Sequence, residues 1–286
     1  MLILRADELG MCFGVRDALA ALAGLPHPAD VTIHGELVHN PEVLSWLDRR
    51  GFRRSPEAQR EVPPTPAVLV TAHGISERER ARLLAAGKQV IDTTCPLVGK
   101  AHAAADQLVA AGRRLVVLGK ADHVEVRGIV EDHPGALVVA GPDDVATWPE
   151  RSLGVVAQTT TQVEVAETLL AAIRAQNPHA DVAWIDTICS PTKARIEALE
   201  RLLPRVDALV VVGGHASNNT RQLVARGRLR GVRTCHVESA RELRAEWFRG
   251  VHAVGLTAGT STLARTVDEV HGWLTRHAAS RADRSA

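Results

Sequence analysis

The chain has 286 residues, with 34 Lys and Arg against 33 Asp and Glu, for a formal charge of +1. That balance, with no lysine-rich run, disfavours nucleic-acid and membrane-surface partners. Apolar residues make up 45% but aromatics only 3%, with no Tyr, so the core must rest on Val, Leu, Ile and Ala and little is left for stacking bases.

No apolar stretch approaches the ~20 residues of a membrane span. Met1-Leu2-Ile3-Leu4-Arg5-Ala6-Asp7 is charged too soon for a secretory leader, so a cytoplasmic protein is expected. Four cysteines in that setting are expected as thiols, ligands or core residues rather than disulfides.

Along the chain, a first strand leads to Cys12-Phe13-Gly14-Val15, and apolar residues at helical spacing continue to Leu22 before Gly24. Val31-Thr32-Ile33 reads as a strand. Asn40-Pro41 is a helix start, an N-cap followed by Pro at N1, for a helix to Arg50 closed by Gly51. Arg53 to Pro66 carries four prolines and reads as a surface loop. Ala67-Val68-Leu69-Val70 is a strand running into Thr71-Ala72-His73-Gly74, and Ser76 with Glu79 forms a capping box for the next helix.

The segment Val90-Ile91-Asp92-Thr93-Thr94-Cys95-Pro96 has a near copy in Trp184-Ile185-Asp186-Thr187-Ile188-Cys189-Ser190-Pro191. Asp92 and Asp186, Cys95 and Cys189, and Gly119 and Gly213 are each 94 positions apart, which marks an internal duplication. A fainter copy begins at Cys12, since Cys12 lies 83 positions before Cys95 and Gly35 lies 84 before Gly119. His39, His123 and Ser217 each stand four residues after a matching glycine. A second unit of strand, polar turn and helix also occurs three times, with Thr161 and Glu164 as the second capping box and Ala258-Gly259-Thr260-Ser261 as the third turn.

Strands alternating with helices of roughly 10–15 residues predict parallel sheets. The expected fold is α/β, with modules over 1–95, 96–189 and 190–286 and the C-terminal segment free to pack back on the first. Ligands of such sheets bind beyond the carboxyl ends of the strands. Cys12, Cys95, Cys189, His39, His73, His123, Thr159, Ser217 and Ser261 all fall at or just after those ends.

A helix N-terminus stabilises the thiolate that a metal requires, and a packing residue has no reason to recur at one turn of a repeat. Three converging thiolates suit zinc with a fourth ligand such as His, or an iron–sulfur cluster with one iron left open. Cys235 falls outside the repeat. Val237-Glu238-Ser239 aligns with Ile91-Asp92-Thr93, which puts Cys235 within a strand and Arg241 at the cysteine place. His, Thr, Ser and Asn at several helix starts, with the amides of Ser217-Asn218-Asn219, form an anion site for a phosphate or diphosphate.

The motifs Cys12-Phe13-Gly14-Val15, Val38-His39-Asn40, Ala72-His73-Gly74, Asp92-Thr93-Thr94-Cys95-Pro96-Leu97-Val98, His123-Val124-Glu125-Val126, Gln158-Thr159-Thr160, Asp186-Thr187-Ile188-Cys189 and Thr257-Ala258-Gly259 come in one order over nearly the whole chain. Together they resemble the 4-hydroxy-3-methylbut-2-enyl diphosphate reductases, which close the non-mevalonate isoprenoid pathway. The resemblance implies a trefoil of three α/β domains around a [4Fe–4S] cluster held by Cys12, Cys95 and Cys189, its fourth iron open to the substrate hydroxyl. It implies that His39, His73, His123, Ser217, Asn218, Asn219 and Ser261 grip the diphosphate, that Thr159 lies near the hydroxyl and that Glu125 supplies the proton.

Departures are Val124 and Arg127 where His-Pro-Glu-Val-Glu-Gly is usual, Asn218 within the customary Ser-Ser-Asn, and no Pro after Thr262. No Gly-x-Gly-x-x-Gly nucleotide fingerprint is present, so a ferredoxin or flavodoxin is the expected electron donor. The rivals are a related reductase acting on another phosphorylated alcohol, and a zinc-stabilised diphosphate binder without catalysis.

Overall fold

A computed structural model describes residues 1–38, 40–56 and 61–283. The described residues form three four-stranded sheets, all parallel, as the alternation of strands and helices predicts. The chain divides into two compact units, one of residues 1–16, 38–47 and 194–286, the other of 17–37 and 48–193.

The second unit holds two sheets. In one, β2 (Val31–His34) and β4 (Ala67–Val70) are central, flanked by β3 (Arg53–Ser55) and β5 (Gln89–Asp92), in the order β3-β2-β4-β5. The Pro-rich loop read into 53–66 therefore begins with a short strand. Its Arg-Arg-Ser sequence hides it from a hydrophobicity reading, because an edge strand pairs on one side only and stays largely exposed. The other sheet places β6 (Arg114–Leu118) and β8 (Ser152–Ala157) at its centre, with β7 (Leu137–Val139) and β9 (Asp181–Trp184) outside, in the order β7-β6-β8-β9.

Period-two alternation sends the buried apolar side chains of β6 and β8 into two different layers. Leu115, Val117 and Val156 pack against Ala101, Ala105 and Leu108 of α4 (Pro96–Ala110) and Val126 and Ile129 of α5 (Val124–Asp132). Val116, Leu118 and Val155 face Ala166, Leu169 and Ile173 of α6 (Val163–Gln176). Helices thus cover both faces, and the chain turns outward in opposite directions after β6 and β8. The switch point that gathers ligands in open α/β sheets lies between those two strands.

The first unit repeats the plan with one exchange. Here β10 (Ala208–Val212) and β12 (Ala253–Ala258) are central, β11 (Arg233–Val237) is one edge, and the other edge is β1 (Leu2–Arg5) from the start of the chain. α7 (Ser190–Leu202) and α8 (Asn218–Leu229) cover one face through Ala198, Leu199, Leu202, Leu223 and Val224. α9 (Ala264–Asp283) covers the other through Val267, Val270 and Leu274.

This exchange corrects the alignment of Val237-Glu238-Ser239 with Ile91-Asp92-Thr93, and of Arg241 with the cysteine place. β11 takes the position of β3 and β7, whereas β1, which runs toward Cys12, takes that of β5 and β9. Cys235 lies within β11, as expected.

The two capping boxes are also modified. Ser76 Oγ accepts the Glu79 N–H at 3.0 Å, but the Glu79 carboxylate serves His34 and Arg82 instead of closing the box. α6 begins one residue later than the Thr161 box would place it, with Gln162 as N-cap and no side-chain cap bond, and Thr161 Oγ1 donates to the Leu118 carbonyl at 3.4 Å.

Close packing of α4 on its sheet is testable at Gly154, where an added Cβ would meet Leu108 Cβ at 2.8 Å and Leu108 Cδ2 at 3.0 Å. Gly154→Ala is expected to destabilise by about 1–3 kcal/mol. Gly99→Ala on the open face of the same helix, with nothing within 4 Å, should stabilise by about 0.4–1 kcal/mol. Thermal unfolding of both variants against the parent checks the pair.

Candidate active site

Each of the three repeat cysteines stands just before a helix or at its cap: Cys12 before α1 (Phe13–Ala23), Cys95 as the N-cap of α4, and Cys189 before α7. Each donates its backbone N–H to the carbonyl two residues beyond the third strand of a sheet. Cys95 bonds Ala72 after β4 at 3.0 Å, Cys189 bonds Thr159 after β8 at 2.9 Å, and Cys12 bonds Thr260 after β12 at 3.1 Å. All three are half-buried, and none is in a disulfide.

Side chains lock the two closest copies. Thr93 Oγ1 donates to the Val70 carbonyl at 2.6 Å, and Thr187 Oγ1 donates to that of Ala157 at 2.5 Å. Asp92 and Asp186 each accept the N–H two residues on, from Thr94 and Ile188, the Asx turn expected of that residue. The Cys12 turn uses Gly10 at the place of Thr93, with φ +78°, and the buried Arg195 guanidinium donates to the Gly10 carbonyl. Arg195 escaped the sequence reading, since nothing in its position on α7 marks it as a brace for a turn 185 residues away.

In the second unit, the switch point between β6 and β8 holds Glu125 and Thr159. Glu125 lies in the first turn of α5 and is 1% exposed. Its Oε1 accepts the Thr159 N–H at 2.6 Å, and its Oε2 accepts the Thr159 hydroxyl at 2.9 Å. Burial pushes this carboxyl up to about 7, against the opposing pull of the two bonds from Thr159. Thr159 also receives the Cys189 N–H, so one residue joins the acid to a cysteine turn.

His123 caps α5, with Nδ1 accepting the Glu125 N–H at 3.3 Å. In the neutral ring Nε2 is then the donor. His73, on the turn after β4, meets the His123 ring edge-on at 5.8 Å between centroids. The structure thus brings His73, His123, Glu125, Thr159 and Cys189 into one connected series. His39 lies outside the described residues.

The first unit carries a parallel arrangement. Ser217 caps α8 as His123 caps α5, its Oγ accepting the Thr220 N–H at 3.4 Å. Asn219, two residues on, occupies the place of Glu125 and accepts the Thr260 N–H at 3.0 Å through Oδ1. With Oδ1 so engaged, Nδ2 is buried without a partner among the described residues, and so is Ser261 Oγ. Such orphaned donors cost roughly 1–3 kcal/mol each, a cost an anionic ligand removes. Asn40, the cap of α2 (Pro41–Arg50), holds the Ser261 carbonyl through Nδ2 at 2.8 Å. Its bracing role was not legible, because the cap signal accounted for the residue completely. Asn218 is half-buried at the start of α8.

Residues 3–275 match the family model described as LytB protein. The chain belongs to the LytB family. Two relatives within it are the 4-hydroxy-3-methylbut-2-enyl diphosphate reductases of Anaeromyxobacter sp. (strain Fw109-5) and Nitratidesulfovibrio vulgaris. The first is 36% identical over 94% of this chain and 95% of its own, and the second 35% over 96% and 99%. A solved (E)-4-hydroxy-3-methyl-but-2-enyl diphosphate reductase, described as the terminal enzyme of the non-mevalonate pathway, is 32% identical with a TM-score of 0.71, covering 96% of this chain and all of its own. The Plasmodium falciparum E-1-hydroxy-2-methyl-but-2-enyl-4-diphosphate reductase shares the fold, with a TM-score of 0.86 at 24% identity over 96% of this chain and 88% of its own.

Within the LytB frame, one departure from the usual motifs, Val124, is itself buried, while Asn218 and Arg127 are half-buried. Val124 fills the N1 position of α5 that Pro otherwise suits, and Asn218 lies beside the buried Asn219.

The raised Glu125 value gives a spectroscopic expectation. The protonated carboxyl should show a C=O stretch in infrared difference spectra that fades with a midpoint near pH 7 and is missing in Glu125→Gln. Thr159→Val removes a bond that favours the carboxylate, so its midpoint should move to higher pH.

Proposed function

We propose that this chain is a 4-hydroxy-3-methylbut-2-enyl diphosphate reductase, a cytoplasmic oxidoreductase of isoprenoid synthesis by the non-mevalonate route. In this reading two electrons and two protons are consumed: the allylic C–O bond breaks, one proton leaves with the oxygen as water, and the second adds to carbon of the reduced allyl fragment to give isopentenyl and dimethylallyl diphosphate. The observation that carries it is the equivalence of Cys12, Cys95 and Cys189, each donating its N–H to the same carbonyl of its turn, beside a buried acid.

The donor set fits an iron–sulfur cluster: three half-buried thiols recur at helix starts that favour anionic sulfur. We assign a [4Fe–4S] cluster to Cys12, Cys95 and Cys189. When bound it supplies the electrons and one iron open to the substrate oxygen.

The chain's own residues supply the rest. Glu125, protonated below about pH 7, delivers the proton that turns the hydroxyl into water. Thr159 fixes that carboxyl with two bonds, and in this reading its hydroxyl oxygen orients the substrate hydroxyl. Asn219 and Ser261 offer buried polar groups without partners among the described residues, and together with His39, His73, His123, Ser217 and Asn218 they bind the diphosphate. Electrons arrive from a ferredoxin or flavodoxin.

Anaerobic assay with the named diphosphate tests the reading directly. Glu125→Gln keeps the size of the side chain but has no acid proton, so turnover should fall by roughly 10²- to 10⁴-fold with iron content unchanged. The parent's kcat should decline as pH rises through about 7, because the acid form is the donor and only its fraction falls. An unchanged kcat in Glu125→Gln would return this residue to a structural role.

The ligand assignment has its own check. Cys12→Ser, Cys95→Ser and Cys189→Ser should each lose or cripple the cluster, whereas Cys235→Ser should keep full iron and sulfide. Loss of iron from the Cys235 variant would mean a fourth cysteine ligand.

A further inference from the structure

The three cysteine turns differ at the third residue of the helix that each one opens. That place is held by Val15 after Cys12, by Val98 after Cys95 and by Thr192 after Cys189. The backbones there are alike: the carbonyls of Cys12, Cys95 and Cys189 accept the N–H four residues on, from Arg16, Gly99 and Lys193, at 3.1, 3.0 and 3.2 Å. Valine and threonine have nearly the same shape, so the repeat keeps the volume and exchanges a methyl group for a hydroxyl at one turn of the three.

That hydroxyl meets the sulfur. Thr192 is 1% exposed, where an unpaired hydroxyl is costly, and its Oγ1 lies 3.0 Å from Cys189 Sγ. With a free thiol either atom can donate, but a sulfur that ligates iron is a thiolate with no proton to give. In the loaded protein the bond therefore has one direction, from the Thr192 O–H to the sulfur. The side chains of Val15 and Val98 have no donor to offer at the matching place.

Hydrogen bonds to the sulfurs are among the factors that set the reduction potential of an iron–sulfur cluster. The sulfurs carry more negative charge after the cluster gains an electron, so a donor aimed at one of them favours the reduced state. We propose that Thr192 is a positioning residue for the proposed reaction, one that raises the reduction potential of the cluster through Cys189 and sets this thiolate apart from those of Cys12 and Cys95. The inference rests on the assignment of the cluster to those three cysteines. The competing role is packing alone, a buried hydroxyl satisfied by the nearest polar atom at a helix start, with no effect on the electrons.

The test is an anaerobic redox titration of the cluster-loaded, substrate-free protein, followed by electron paramagnetic resonance, with iron and sulfide measured on every sample. Thr192→Val copies the other two turns and should keep its iron while its midpoint shifts to a more negative potential. Thr192→Ser retains the hydroxyl and should titrate with the parent. Val98→Thr gives the Cys95 turn the donor it lacks at that place, and its midpoint should shift the other way. A parent-like midpoint in Thr192→Val at full iron content would overturn the proposal in favour of packing. Should Thr192→Val lose its iron, a parent-like midpoint in Val98→Thr would overturn it instead. A parent protein that holds no iron would take away the cluster assignment itself, an outcome distinct from an unmoved potential.

Discussion

Three backbone hydrogen bonds, from the N–H groups of Cys12, Cys95 and Cys189 to the carbonyls of Thr260, Ala72 and Thr159, fix where the chain leaves each sheet and where each thiol stands. A parallel sheet must send its chain away from its carboxyl edge before a helix returns it. The edge strand's exit therefore passes beside the turn that follows the neighbouring central strand. Tying the exit to that turn satisfies a donor that would otherwise be orphaned at a helix start. It also makes the position of the thiol a property of the sheet rather than of a mobile loop.

The same turns carry the polar chemistry. Thr159 gives its N–H to Glu125 and its carbonyl to Cys189, and Thr260 gives its N–H to Asn219 and its carbonyl to Cys12. A residue whose N–H is held from the capped helix and whose carbonyl is held by a cysteine N–H leaves little freedom to either. Burial then separates the functions. A fully buried carboxyl with two donors from Thr159 is pushed up to about 7, whereas an amide in the equivalent place has no proton to lose and offers its Nδ2 as a fixed donor.

Much of this was legible because duplication copies chemistry and spacing together. The 94-residue offset between Cys95 and Cys189, and the glycines ending the apolar runs, located the strands, the cysteine turns and the cap residues His123 and Ser217. What escaped detection depends on contacts with no local signature. β3 is a strand only because β2 lies beside it, and Arg195 reaches Gly10 across most of the chain's length. The false alignment of Val237-Glu238-Ser239 arose because a linear repeat was assumed. The third sheet takes its fourth strand from the other end of the chain, and pairing of β1 with β12 leaves no periodicity to read.

That exchange explains why three equivalent turns are not chemically equivalent. In the sheets closed by β5 and β9, an Asp-Thr pair precedes the cysteine, and the Thr hydroxyl donates to the end of the central strand. The sheet closed by β1 has Leu9-Gly10 in that place, and a buried guanidinium at the Gly10 carbonyl stands in for the missing side chains. A helix-start cap is retained at both His123 and Ser217, yet only the first is followed by an acid, Asn219 taking the other place. One acid and one amide at equivalent positions give a single fold element a titratable group in one sheet and a fixed amide donor in another.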